Sequence, residues 1–178
     1  CLSGYEKERH RDFEGKRTVQ TLHGFDKPLL NGYRLLARLG DELLASRVQA
    51  PGPGLWAVAT RDGDQRLAVM VTHFRNDLPD GSAPPIPIEL SFDSPWPDGT
   101  AVERHHWRID SAHSNAYAVY CRLGRPAEPS AEQTAQIKQR MGLERMEEAR
   151  RLVIHGKVQM QFDLPCNAVS LVEFVRQK

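Results

Sequence analysis

The sequence has no run of eighteen apolar residues, so no stretch of it is long enough to cross a bilayer as a helix. Cysteine is scarce. Cys1, Cys121 and Cys166 make an odd count without C-x-x-C spacing, which argues against a disulfide framework and against a zinc site. Each thiol reads as a small apolar filler. The seven histidines show neither H-E-x-x-H nor H-x-x-x-H spacing. His105 and His106 are adjacent, so on a strand they point to opposite faces and cannot share one ion. No metal and no cofactor is therefore expected. G-x-S-x-G is absent, which removes the usual nucleophile turn of a serine hydrolase. Charge of one sign is also missing: 24 Lys and Arg against 23 Asp and Glu leave a net charge of +1. The basic groups at Arg104–Arg108 and Arg150–Arg151 are interleaved with acids and read as a solvated face, not a nucleic-acid groove. There are no internal repeats. The segment "CLSGYEKERHRDFEGKR" has no apolar core and is not a signal peptide. It also lacks an initiator Met, which leads to the expectation of a processed piece or a fragment of something longer.

What is present suits a soluble domain of ordinary size, at 178 residues with 40% apolar and 26% charged. Residues 1–27 are charged and punctuated by Gly4, Gly15 and Gly24. In "KPLLNGYRLLARLGDELL", Pro28 suits a first helical turn. Leu29, Leu30, Tyr33, Leu36 and Leu39 recur at helical spacing and predict an amphipathic helix over 28–39, stopped by Gly40. The period then changes. "LWAVATRDGDQRLAVMVTHF" reads as a hairpin around Asp62-Gly63-Asp64. "IPIELSF" and "KVQMQFDL" alternate as half-buried strands, and "AVERHHWRID" and "AVSLVEFVRQ" are further strands. "LPDGSAPPIP" reads as a flexible loop. "SAEQTAQIKQRMG" opens with a capping box from Ser130 to Gln133, and "LERMEEARRL" continues in helix formers. The expected architecture is mainly β: an antiparallel β-sandwich with a short helical insert and an N-terminal helix.

Three groups of residues invite chemistry. Asp110, His113 and Ser114 are local neighbours, which suits a turn better than a catalytic triad; Ser111, Ser114 or Asn115 is expected to cap the helix "AYAVYCRLG". Glycoside hydrolysis needs two carboxylates facing each other across a sugar ring, and no strand pair here offers them with aromatic support. Trp56 and Trp107 sit in apolar strands and are expected in the core. Trp96, in the Pro-flanked turn "SPWPDGT", is the candidate exposed platform for a sugar.

The segment "FEGKRTVQTLHGFDKPLLNGYRLLARLGDELL" resembles the end of the catalytic barrel in glycoside hydrolase family 39, the β-xylosidases and α-L-iduronidases. Phe13, Gly15, Thr21, Gly24, Lys27, Pro28, Asn31 and Tyr33 fill the family's F-x-G-x-x-x-x-x-T-x-x-G-x-x-K-P-x-x-N-x-Y/F pattern. "LWAVATRDGDQRLAVMVTHF" looks like the hairpin of that family's β-sandwich. "RIDSAHSNAYAVYCRLGRPAEPSAEQ" is similar to its R-I-D-x-x-H-S-N-A-Y-x-x-W-x-x-M-G-x-P-x-x-P-T-x-x-Q. Arg108 through Tyr117, Gly124, Pro126, Pro129 and Gln133 match; Tyr120 stands for Trp, Leu123 for Met and Ser130 for Thr.

The resemblance implies that residues 1–45 are the tail of a (β/α)8 barrel with its last helix, and that 46–178 are an accessory β-sandwich. It implies that the "H-S-N-A-Y" segment is a structural corner. It also implies that the family's N-E-P acid/base and its nucleophilic Glu lie upstream of Cys1, so that no catalytic residue is expected in this chain. Glu6 and Glu8 are the candidates for contact with the glycone. The implied partners are the catalytic barrel and, through it, a carbohydrate; neither nucleic acid nor membrane is expected, and the Leu-rich helix could drive homo-oligomerisation. The rivals are a free carbohydrate-binding or protein-interaction module, and a hydrolase acting alone through Glu6, Glu8 or the Asp110–His113 pair.

Overall fold

A computed structural model describes residues 8–49, 54–77 and 83–177. Among them are three short helices, α1 (Pro28–Leu36), α2 (Ala116–Arg122) and α3 (Ala131–Lys138). There are nine strands: β1 (Glu42–Leu44), β2 (Leu55–Asp62), β3 (Arg66–His73), β4 (Ile86–Asp93), β5 (Ala101–Ile109), β6 (Glu144–Arg145), β7 (Arg150–Val153), β8 (Lys157–Leu164) and β9 (Ala168–Arg176). Seven strands form one sheet in the order β1-β2-β3-β9-β5-β6, with β7 also paired to β5, while β4 and β8 form a two-stranded sheet. The chain is mainly β, as expected, and β1–β2, β2–β3, β3–β9, β4–β8, β5–β7 and β5–β9 all pair antiparallel. The chain divides into two compact units, Cys1–Ala37 with Ser111–Glu144, and Arg38–Asp110 with Arg145–Lys178. By contacts, the helical insert therefore groups with the N-terminal segment.

The strand unit follows from period-two patterning. The hairpin β2–β3 turns at Asp62–Arg66 with Gly63 at φ +49°, the left-handed turn that its Asp-Gly announced. On β3, Leu67, Val69 and Val71 face a core shared with Val172 and Phe174 of β9, Val102 of β5, and Ile88, Val158, Met160 and Leu164 of the β4–β8 ribbon. Cys166 is buried beside this layer, in line with a filler role; Cys121 is half-buried, and Cys1 lies outside the described residues.

The helical unit has its own small core of Phe25, Ala116, Val119, Tyr120 and Ile137, with Phe13, Leu123 and Met141 against it. α3 starts with the expected capping box: Ser130 Oγ accepts the Gln133 N–H, and Gln133 Oε1 accepts the Ser130 N–H.

On α1 the stripe residues Leu29, Tyr33 and Leu36 are exposed, and Asn31 and Leu35, about half a turn round the helix, are the buried pair. Two expectations are corrected. The helix is shorter than 28–39, ending at Leu36. "LERMEEARRL" is not helical. Arg150–Val153 pairs with Ala101–Arg104 as β7, and Glu147 ion-pairs with Arg104, so strand pairing overrides helix propensity.

Candidate functional site

Glu8, a candidate contact with the glycone, is buried among the described residues. It is 3% exposed; its carboxylate lies 2.6 Å from Lys27 Nζ and accepts the Phe13 N–H at 2.8 Å. Lys27 Nζ also donates to the Lys16 carbonyl at 2.8 Å. The pair ties the start of α1 to the loop before it. Glu6 lies outside the described residues. A carboxylate this deeply buried is held ionised by a close cation, here Lys27.

The other motif residues near it have similar tasks. Phe13 packs its ring at 5.1 Å from Tyr120, 5.3 Å from Tyr117 and 6.4 Å from Phe25. Asp12, fully buried, accepts both the N–H and the Nδ1 of His23, at 2.9 and 2.8 Å. Thr21 Oγ1 accepts the Phe25 N–H at 3.1 Å, closing a turn in which Gly24 stands at φ +77°. Asn31 spends its amide on three carbonyls, Ser114 at 2.8 Å, Met141 at 3.0 Å and Gly142 at 3.4 Å, and its Oδ1 accepts from Arg34. Arg34 in turn reaches Asp26 at 2.7 Å. These residues form a scaffold, with no free acid among them facing another.

The corner at 110–116 is built like a joint. Asn115 Oδ1 accepts the Ala118 N–H at 3.1 Å and is the cap of α2. Ser114 exchanges two bonds with Glu144, N–H to Oε1 at 2.9 Å and Glu144 N–H to Oγ at 2.8 Å. Ser114 is itself fully buried at φ +53°. A serine with that hydroxyl occupied and that burial has no access to substrate, which removes the triad reading of Asp110, His113 and Ser114.

Trp96 is corrected as well. It is 4% exposed, packs in the sandwich core and donates its indole N–H to the Asp64 carbonyl at 2.6 Å. Its flanking prolines bend the turn inward, so the ring is a plug. Trp56 is the reverse case: expected in the core, it is 55% exposed, because it occupies the outward parity of β2. Trp107 is half-buried on the outward face of β5. Its indole N–H donates to Glu173 at 2.7 Å, and the guanidinium groups of Arg38 and Arg145 lie 4.5 and 4.8 Å from the ring centroid. Glu173, 1% exposed, also accepts from Arg38 Nε at 2.8 Å. On the inward face Ser170 Oγ meets His106 Nε2 at 3.1 Å and Arg108 Nε at 3.0 Å, and Phe162 packs 4.7 Å from the His106 ring. Burial pushes the Arg108 guanidinium down from its ordinary value, against the pull of Asp110 and Asp163. This seam is sealed and structural. His105 and His106 do face opposite sides. Among the described residues no group of three or more His, Cys, Asp or Glu could hold a metal, and no helix is long and apolar enough to cross a membrane.

Sequence spacing missed two open features. One is a slot of about 340 Å³ bounded by residues 44–49 and 87–92. The other is the exposed face of α1. The first depends on sheet topology, and the second on which helical face is buried; neither is visible in a linear pattern.

No family model matches the sequence, and no curated protein does. Solved structures do match the fold. A monomeric β-xylosidase from Caulobacter crescentus CB15 superposes with a TM-score of 0.76 at 19% identity, over 96% of this chain and 35% of that one. The GH39 enzyme from Xanthomonas axonopodis pv. citri gives 0.70 at 18% identity, over 93% and 33%. A bacterial orthologue of human α-L-iduronidase gives 0.69 at 19% identity, over 86% and 28%. The chain is thus similar in fold to glycoside hydrolases of family 39, and spans about a third of the length of these enzymes.

Proposed function

We propose that this chain is the C-terminal accessory portion of a retaining glycosidase of the family 39 type, of the β-xylosidase or α-L-iduronidase kind. The observation that carries the reading is the fold likeness over 96% of this chain and only 35% of a β-xylosidase, combined with the family-like signatures in the same order along the sequence. In this reading residues 1–45 finish the barrel and 46–178 form the accessory domain. Retention uses a nucleophile and an acid/base about 5–5.5 Å apart. Both would stand in the barrel, outside residues 1–178. The buried carboxylates Glu8, Asp12, Asp26 and Glu173 each have a basic partner within the chain, which supports a non-catalytic role for them. The outward Leu29, Tyr33 and Leu36 of α1 would be covered by the barrel; left bare, they would drive self-association.

The test is an assay of the purified chain against aryl β-xylosides and aryl α-L-iduronides, with the coding frame upstream of Cys1 read alongside. The expected result is no turnover above buffer and an N-E-P motif in the upstream frame. Turnover that disappears in Glu6→Gln or Glu8→Gln overturns the reading.

One observation favours a second reading, a carbohydrate-binding module. Trp56 and Phe74, 55% and 46% exposed, lie at diagonal positions on the outward face of the β2–β3 hairpin, with Thr72 opposite Trp56. Retardation by soluble xylan in an affinity gel, lost in Trp56→Ala, would favour it.

A further inference from the structure

Asp12, His23 and Glu128 meet within the helical unit. His23 sits in the turn 21–25. The Thr21 N–H donates to the Phe25 carbonyl at 2.9 Å, and the Gly24 N–H to the Thr21 carbonyl at 3.1 Å. Phe25 anchors the turn in the small core. Asp12 holds the ring from the inside: its Oδ1 accepts the His23 backbone N–H, and its Oδ2 lies 2.8 Å from Nδ1. An ionised carboxylate can only accept, so Nδ1 carries a proton, and in the neutral imidazole Nε2 keeps its lone pair. Nε2 faces Glu128 Oε2 at 3.6 Å. Glu128 is exposed, on residues 125–130, where Pro126 and Pro129 fix φ on either side of it.

An N–H···O hydrogen bond spans about 2.7–3.2 Å. The gap between His23 and Glu128 is longer than that, and it is the bite of a metal ion. Two ligands about 2.0–2.2 Å from one tetrahedral ion stand about 3.4 Å apart. The charges agree. Asp12 is fully buried, where an uncompensated carboxylate is costly, and among the described residues its ion pair is with His23 alone. With His23 neutral, the three side chains carry two negative charges and no positive one. A divalent cation on Nε2 balances both.

We infer that His23 Nε2 and Glu128 Oε2 bind one divalent transition ion of the zinc type, with Asp12 orienting the imidazole through Nδ1. A metal-bound imidazole commonly donates its other N–H to a carboxylate, which fixes the tautomer and strengthens the ligand. An imidazole paired with a carboxylate suits Zn²⁺ better than Mg²⁺ or Ca²⁺, which take oxygen ligands. Two protein ligands are fewer than the three or four of a catalytic or structural zinc site, so water completes the shell and the ion exchanges. When bound, it ties the turn before α1 to the loop between α2 and α3. Histidine spacing does not reveal the pair, because its two ligands lie on separate loops. All three residues belong to the helical unit, and the inference is independent of the glycosidase reading.

The experiment titrates ZnCl2 into chain 1–178, first stripped with a chelator, and follows the ring protons of the seven histidines by NMR. A saturable shift is expected at His23, and MgCl2 at the same concentration is expected to leave that ring unmoved. Glu128→Gln changes an exposed side chain and is expected to leave the metal-free spectrum otherwise intact. It should weaken zinc binding at His23 by about tenfold or more. Zinc that shifts other histidines and leaves His23 unmoved up to about 1 mM overturns the inference. Equal zinc affinity at His23 in Glu128→Gln overturns it too, since Glu128 is then no ligand. An equal shift with MgCl2 overturns the assignment to a transition ion.

Discussion

Asn31 Nδ2 donates to the carbonyl of Ser114 at 2.8 Å, across 83 residues of chain, within the helical unit. The bond joins the second turn of α1 to the corner that starts α2. It explains why an amide side chain occupies a position 1% exposed on a helix otherwise rich in Leu. Replacing Asn31 by Leu keeps the volume and removes the donor to three carbonyls and one of the acceptors of Arg34. A buried polar group left unsatisfied costs about 1–3 kcal/mol. Thermal unfolding of Asn31→Leu should therefore show a clear fall in Tm. An unchanged Tm would mean that the bond contributes nothing to folding.

Tyr120 gives the opposite expectation. It is 2% exposed, and among the described residues its hydroxyl has no hydrogen-bond partner. Burial also raises its pKa, with the nearby Asp12 carboxylate adding to that. Tyr120→Phe removes an unsatisfied hydroxyl and keeps the ring contacts with Phe13. Denaturant unfolding should show stability unchanged or raised by about 1 kcal/mol. A loss of that size would reveal a partner for the hydroxyl.

Trp96 and Trp56 are predicted to behave in contrary ways. Trp96→Ala should lose about 3–5 kcal/mol, the usual range for an aromatic deleted from a core. Trp56→Ala removes a half-exposed ring and should change stability by less than about 1 kcal/mol. Equilibrium unfolding in urea distinguishes them directly.

Asp77 is held by Arg75, Nε to Oδ1 at 2.8 Å and Nη2 to Oδ2 at 2.5 Å. The side-chain bonds from Arg75 lower its pKa from 3.8 to about 2. A depressed folded value means that the ionised form is favoured by folding. The contribution is present above the ordinary carboxylate value and is lost as pH falls through about 2. The pair is exposed, so salt should weaken it. A carboxyl-carbon NMR titration should place Asp77 near 2, and Arg75→Gln should return it to the ordinary range near 3.9.

The strands were legible because their pattern is local. Ile88, Val158, Met160 and Leu164 alternate in sequence and bury in alternation. The Asp-Gly turn and the box from Ser130 to Gln133 are also local chemistry, and both formed. The failures are all decided by distant partners. Glu147 and Arg150–Val153 have helix-forming character, and only β5 makes them extended. Trp56 and Trp96 exchange places because exposure depends on which side of the sheet a residue occupies, and on how a Pro-flanked turn bends. On α1 the burial of Asn31 and Leu35 sets the helix's rotation, which Leu spacing alone does not show. The pairing of Glu8 with Lys27 could not be read from spacing either.

The place of β9 bears on how the chain can be made. Among the described residues it is the last strand, yet it lies between β3 and β5, with eight registered pairs to each. While residues 168–176 are still inside the ribosome, β3 and β5 have nothing between them, and Phe174, Val172 and Glu173 are missing from both faces of the sheet. The sheet can close only after synthesis of the strand is complete, through contacts that span most of the unit, the kind that make folding slow. Loss of residues 168–176 would therefore remove the strand between β3 and β5 and leave two separate strips of sheet with open edges facing each other.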